Sequence, residues 1–191
     1  MVDLNKFLKE NKENIHELLN HMWYTIERIA IRFEDAIPNV DLDNSHGNYI
    51  KIDQGWSESV YANPSIVFPF GEFGYSLDGL FCVFSIDPSK FTEDLLVKIV
   101  ELSREKDAIS FELYGGDDCF QTFFQSKFEN DFDSILEAIE KTEEATIQLE
   151  LSIEAVAEES IKEDLIETSI HMYNLLQEGN CLVNLPSYSN Y

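Results

Sequence analysis

The chain has 191 residues, of which 44% are hydrophobic and 13% aromatic, enough apolar material for one folded domain; disordered, collagen-like and disulfide-scaffold classes are excluded. Its 37 acidic and 13 basic residues give a formal charge of −24, which excludes a surface built to neutralise nucleic-acid phosphates or anionic lipid. The excess is uneven: residues 1–106 carry 18 acids and 10 bases, residues 107–191 carry 19 and 3, and residues 126–170 hold 14 acids against Lys127, Lys141 and Lys162.

From the N-terminus, Leu4, Phe7, Leu8, Ile15, Leu18, Leu19, Met22, Trp23, Ile26, Ile29, Ala30 and Phe33 recur at three- and four-residue steps, which predicts a long amphipathic helix over residues 3–36. The pattern lapses between Lys9 and Asn14, where a break is expected, and Pro38 ends the helix. A stripe of that length exceeds what one small sheet covers, so Ile15, Leu19, Met22, Ile26, Ile29 and Phe33 are also candidates for a homodimer contact. The segment PNVDLDNSHG (38–47) is turn chemistry. Its Asp41, Asp43 and Ser45 echo a Ca²⁺ loop, but the glycine falls one position late, at Gly47, and the bidentate Glu is missing, so it reads as an ordinary loop.

Extended segments are predicted at 49–53, at 65–70 between Pro64 and Gly71, and at 80–86, where LFCVFSI is apolar on both faces and suits a central strand. Asp87-Pro88 then starts a helix over 88–105. AISFELY (108–114) alternates, Gly115–Asp118 turns and CFQTFF (119–124) returns, which is a hairpin. A helix follows at 130–142. Ile147, Leu149, Leu151 and Ile153 alternate with polar residues and predict a strand, then comes a helix at 157–178 stopped by Gly179, and CLVNL (181–185) is an edge-strand candidate.

The reading is a single α+β domain over 1–191, with a long helix at 1–36 and a mostly antiparallel sheet with helices on one face at 48–186. From residue 80 the order strand, helix, strand, strand, helix, strand fits a ferredoxin-like sandwich. Residues 1–142, read as helix, three strands, helix, two strands, helix, resemble the type III secretion chaperone fold in element order and acidity. Members of that family are small, acidic and often dimeric.

Cys82, Cys119 and Cys181 are odd in number and lie in apolar runs, so they read as buried free thiols of a reducing, cytoplasmic compartment. The N-terminal MVDLNKFLKENKEN lacks a signal-peptide apolar core, and no run reaches the length of a membrane span. His16, His21, His46 and His171 form no helical zinc motif, and no nucleophile-elbow or phosphate-loop motif occurs.

Two functional readings compete. The first is a non-enzymatic interaction protein without cofactor, whose acids Asp131, Asp133, Glu137, Glu140, Glu143, Glu144, Glu150, Glu154, Glu158, Glu159, Glu163 and Asp164 steer a basic protein or peptide. Client holding, inhibition by phosphate mimicry and toxin immunity all fit it. Phe68, Phe70, Phe73, Tyr75, Phe120, Phe123, Phe124 and Phe128 read as core, or, where exposed, as apolar anchors for an amphipathic basic partner. The second reading starts from Tyr114-Gly115-Gly116-Asp117-Asp118, a hairpin tip that resembles the palm domain of nucleotidyl cyclases. That resemblance implies a Mg²⁺ site from Asp117, Asp118 and Asp87, since clustered carboxylates supply the hard oxygen ligands of a metal pair about 4 Å apart. Against it stand a single predicted helix between Asp87 and Asp117, where those cyclases have room for two, and few nearby bases to hold a triphosphate.

Overall fold

A computed structural model describes residues 4–38, 40, 50–54, 58–62, 65–75, 78–115, 121–125 and 131–184. The N-terminal pattern forms α1 (Leu4–Glu10) and α2 (Lys12–Glu34), with the break at Asn11, inside the lapse predicted. Backbone bonds from Asn11 N–H to the Phe7 carbonyl and from Ile15 N–H to the Asn11 carbonyl span the break, so the two helices run on as nearly one rod. The Phe33 carbonyl accepts from both Ala36 and Ile37 N–H, and the turn that results closes α2 ahead of Pro38.

The strands are β1 (Ile50–Gln54), β2 (Glu58–Ala62), β3 (Ser65–Phe68), β4 (Gly71–Tyr75), β5 (Gly79–Ile86), β6 (Ser110–Gly115), β7 (Gln121–Gln125) and β8 (Ala145–Ser152). β1 and β2 pair as a separate antiparallel ribbon; the other six form one antiparallel sheet in the order β3-β4-β5-β8-β6-β7. The remaining helices are α3 (Glu93–Glu105), α4 (Phe132–Glu140), α5 (Ile153–Val156) and α6 (Glu159–Glu178). The class is therefore α+β. The chain order from residue 80 is the one predicted, but its arrangement in space is not ferredoxin-like: β8 enters between β5 and β6, and β3–β4 extend the sheet beyond β5.

One face of the sheet is the core. Phe73, Leu80, Cys82, Phe84, Ile86, Phe111, Leu113, Ile147, Leu149 and Leu151 alternate along their strands and are all buried. α2 packs on β3 and β4, α6 on β5 and β8, and α4 on β7, with α3 between α6 and α4. The α2 stripe Leu19, Met22, Ile26, Ile29 and Phe33 is buried within the chain, and the Phe33 ring meets Phe68 and Phe73 edge-on at 6.0 and 5.3 Å. Those five residues, read from sequence as candidates for a dimer contact, are consumed by the molecule's own sheet.

Local chemistry sets the boundaries. Asp87 caps only a single 3-10 turn, Pro88–Lys90, by accepting from Ser89 N–H; Thr92 caps α3 by accepting from Leu95 N–H, with Glu93 and Asp94 in the first turn where the helix dipole favours acids. At the end of α6 it is Asn180, not Gly179, that takes the left-handed conformation, at φ 53°. Of the 181–185 segment, residues 181–184 are described, and they contribute a bridge, Leu182 opposite Ile86, in place of a strand.

Candidate partner-binding surface

The acids predicted to bind a partner fall into three places. Six of them, Asp131, Asp133, Glu137, Glu140, Glu143 and Glu144, belong to α4 and its flanks, are all exposed, and share residues 131–144 with one base, Lys141. Ile135 and Ile139 turn α4 inward, and Asp133, Glu137 and Glu140, spaced i, i+4, i+7, fall on the opposite side. Lys141 reaches back to Glu137 at 2.6 Å and its hydrogen bond holds that carboxyl below the ordinary glutamate value. Asp131 accepts from the Ser134 hydroxyl. Asp133, Glu140, Glu143 and Glu144 make no ion pair among the described residues, so the stripe keeps most of its charge.

A second group, Glu154, Glu158, Glu159, Glu163 and Asp164, follows the far end of β8, an eight-residue strand about 23 Å long whose near end carries Glu143 and Glu144. Three of these acids are used inside the molecule. Arg28 pairs with Glu159 at 2.9 Å and Arg32 with Glu163 at 2.7 Å, which ties α2 to α6, while Lys106 at the end of α3 pairs with Asp164 at 2.8 Å. Glu159 is held below its ordinary value by the hydrogen bond from Lys162 and then by Arg28. Ile29 and Ile166 lie in the same α2–α6 groove, of about 250 Å³, as these charges. The twelve acids therefore do not form one continuous face, because the helix layer spends part of the α6 set on its own seams.

Glu150 is the third place. It lies on the sheet face turned away from the core, where Gln148 donates to it at 3.1 Å and Tyr114 donates to Gln148 at 2.8 Å. Burial, then the charges of Glu112 and Glu150, push the Tyr114 phenol up. Strand register sets Glu72, Val83, Gln148 and Glu112 in one cross-strand row, with Phe81 beside Gly74 in the next. The sequence reading missed this half-buried row because LFCVFSI was read as apolar on both faces. The signal was the alternation of Glu112 with Leu113, Gln148 with Leu149 and Glu150 with Leu151. The aromatics proposed as anchors go the other way: Phe68, Phe73 and Tyr75 are buried, and Phe70 packs against Tyr173 at 6.1 Å. The side chains of Phe120, Phe123, Phe124 and Phe128 lie outside the described residues.

Asp117 and Asp118 of the metal reading lie outside the described residues, as do Cys119, Lys127, His46 and the 41–47 loop. Asp87 follows β5 at the end of the sheet where β6 stops at Gly115, two strand spacings or about 10 Å away. Its carboxylate accepts from the Ser89 N–H and hydroxyl and pairs with Lys90 at 3.1 Å, contacts that lower its pKa, Ser89 foremost. Among the described residues no three metal-ligating side chains converge. Cys82 and Cys181 are buried free thiols, both pushed up mainly by burial, which makes them poor nucleophiles. No described helix is long and apolar enough to cross a membrane.

An α+β sheet with a one-sided helix layer and an acidic helix at its rim is the class these observations define. Within it, residues 7–167 match the family described as "Protein of unknown function (DUF3201)", and the chain belongs to that family. The solved structure titled "Conserved hypothetical protein Pfu-178653-001 from Pyrococcus furiosus" is similar, with a TM-score of 0.58 and 19% identity over 88% of this chain and 98% of that one, a likeness of fold. Comparison with curated proteins gives no match.

Proposed function

We propose that the protein is a non-enzymatic interaction protein that docks a basic protein or peptide on the acidic stripe of α4. The observation that carries this reading is the run Asp133, Glu137, Glu140, Glu143 and Glu144, exposed on one helix and the turn after it, with Lys141 as its single base. Like charges one helical turn apart cost a few tenths of a kcal/mol each in an isolated helix. A complementary cationic partner turns that cost into steering and register. The buried free thiols of Cys82 and Cys181 fit a reducing, cytoplasmic setting.

The test is a titration with a lysine- and arginine-rich amphipathic peptide. It compares the parent with D133N/E137Q/E140Q and with a control in which Glu101, Glu105 and Glu178 are neutralised, so both variants lose three charges. Binding that weakens from low to about 0.5 M salt, and is lost in the α4 variant but kept in the control, supports the reading. Equal loss in both variants, or no binding at low salt, overturns it.

A further inference from the structure

α2, α4 and α6 pack on the core face of the six-stranded sheet, and the opposite face is left to the side chains that alternate outward. Strand register fixes what stands there. On β5, Phe81 and Val83 point outward, both half-buried and about 7 Å apart along the strand. Glu72 of β4 stands opposite Val83 on one flank, and Glu150 of β8 stands opposite Phe81 on the other. Glu112 of β6 lies one strand further out, in the row of Val83. β4 and β8 are two strand spacings, about 10 Å, apart, so acids flank the apolar pair on both sides. Among the described residues no outward position of β3, β4, β5, β6 or β8 is a lysine or arginine.

One of these acids lacks a donor. Glu72 Oε1 is shut off from water and accepts no hydrogen bond, a desolvation cost that an N–H brought to it removes. Glu150 accepts from the neutral Gln148 amide at 3.1 Å, and neither Glu72 nor Glu150 meets a cation among the described residues. The rest of the chain offers Lys127 and, on the separate β1–β2 ribbon, Lys51, which is not a set of bases along both sides of an apolar stripe. Two copies set face to face would lay acid on acid, and lipid or nucleic-acid phosphates are repelled.

We infer that this outer face docks a cationic amphipathic α-helix of a partner protein, laid along β5 with its apolar stripe on Phe81 and Val83 and with lysine or arginine on both edges of that stripe. Bases on one edge reach Glu72, and bases on the other reach Glu150 and Glu112. A helix with its side chains is about 10–12 Å across, which matches the distance from β4 to β8. The long stems of lysine and arginine cover apolar surface while carrying their charge to the rim. This surface is on the other side of the sheet from α4, so the inference goes beyond the α4 reading. The α4 stripe asks for charge, whereas this face asks for bases beside an apolar stripe.

The measurement is made on D133N/E137Q/E140Q, in which the α4 stripe is neutralised, so that it succeeds or fails whatever α4 does. The probe is a fluorescent helical peptide with a leucine stripe flanked on both edges by arginine. It is compared by anisotropy with a rearranged peptide of the same composition whose arginines stand opposite the leucines. The flanked peptide should bind about tenfold tighter or more. Adding E72Q/E150Q should weaken it about tenfold or more, whereas adding E101Q/E105Q, which removes two exposed acids of α3, should change it less than about twofold. V83K keeps both carboxylates and sets a like charge under the leucine stripe, so it should weaken binding as much as E72Q/E150Q, and it decides the matter if that variant alters the far-UV circular dichroism spectrum. No binding of the flanked peptide, equal binding of the two peptides, equal losses from the sheet and α3 variants, or unchanged binding in V83K would each overturn the inference.

Discussion

Gly74 on β4 is a glycine because Phe81 on β5 lies across it. A Cβ built there would stand 2.3 Å from the tip of the Phe81 ring. The ring is half-buried on the outer face and can swing aside, so Gly74→Ala should cost about 1–3 kcal/mol by displacing it. In an F81A background the same change should cost little, a coupling that a double-mutant cycle in denaturant measures. Additive single effects would show that the ring does not set this site. Sequence alone did not disclose the pair, because Gly74 and Phe81 become neighbours only through strand register. Asp87 is the opposite case. Its place before Pro88 marked it as a cap, and it does cap, although the turn it begins is short and Thr92 starts the long helix. Its folded pKa lies below the ordinary carboxylate value, so its contribution is fully present above that value and is lost as pH falls through the lowered one. Asp87→Asn should lower the melting temperature at neutral pH, and the gap from the parent should close as pH drops below about 4. A gap independent of pH would assign the loss to something other than the charge.

At the scale of elements, α2 joins the fold through packing more than through charge. Phe33 is fully buried and lies edge-on to two rings of the sheet, whereas Arg32, its neighbour in sequence, pairs with Glu163 and Glu167 at half-exposed positions. Phe33→Ala should cost about 3–5 kcal/mol, and Arg32→Gln at most about 1 kcal/mol. Urea unfolding of the two variants decides it, and comparable losses would mean that the α2–α6 ion pairs, not the apolar stripe, hold the helix. The same contrast explains what was legible. Periodicity marked the helices at 12–34, 93–105, 132–140 and 159–178 because their buried stripes repeat at helical spacing. It also marked β8 against a helix-friendly composition, although Ile153, read as its last inward residue, opens α5. β2 and the separation of β3 from β4 were not legible, because short strands around Gly71 and Pro64 have too few alternations to display a period. The division of the acidic half was hidden for another reason. Which acids meet Arg28, Arg32 and Lys106 depends on how α2, α3 and α6 lie together, and partners that stand 58, 131 or 135 positions apart in the chain carry no mark of that.

For the whole molecule the governing quantity is a net charge of −24 on 191 residues. Two opposed terms respond to salt. Screening weakens the pairs Arg28–Glu159, Arg32–Glu163, Lys106–Asp164 and Lys141–Glu137, which would lower stability. It also weakens the mutual repulsion of the excess carboxylates, which would raise it. Each of those pairs has at least one strongly exposed member and contributes about 0–1 kcal/mol. The repulsion is summed over the surface, above all along α4 and the turn after it, where six acids share one base. The second term should therefore win. The melting temperature at neutral pH should rise as sodium chloride increases toward about 0.5 M, where the screening length falls below the spacing of neighbouring surface charges. D133N/E137Q/E140Q should start from a higher melting temperature at low salt and gain less from added salt, since part of the repulsion is already gone. A melting temperature that falls with salt would mean that the ion pairs outweigh the repulsion. An α4 variant no more stable than the parent at low salt would mean that the stripe is not where the repulsion is concentrated.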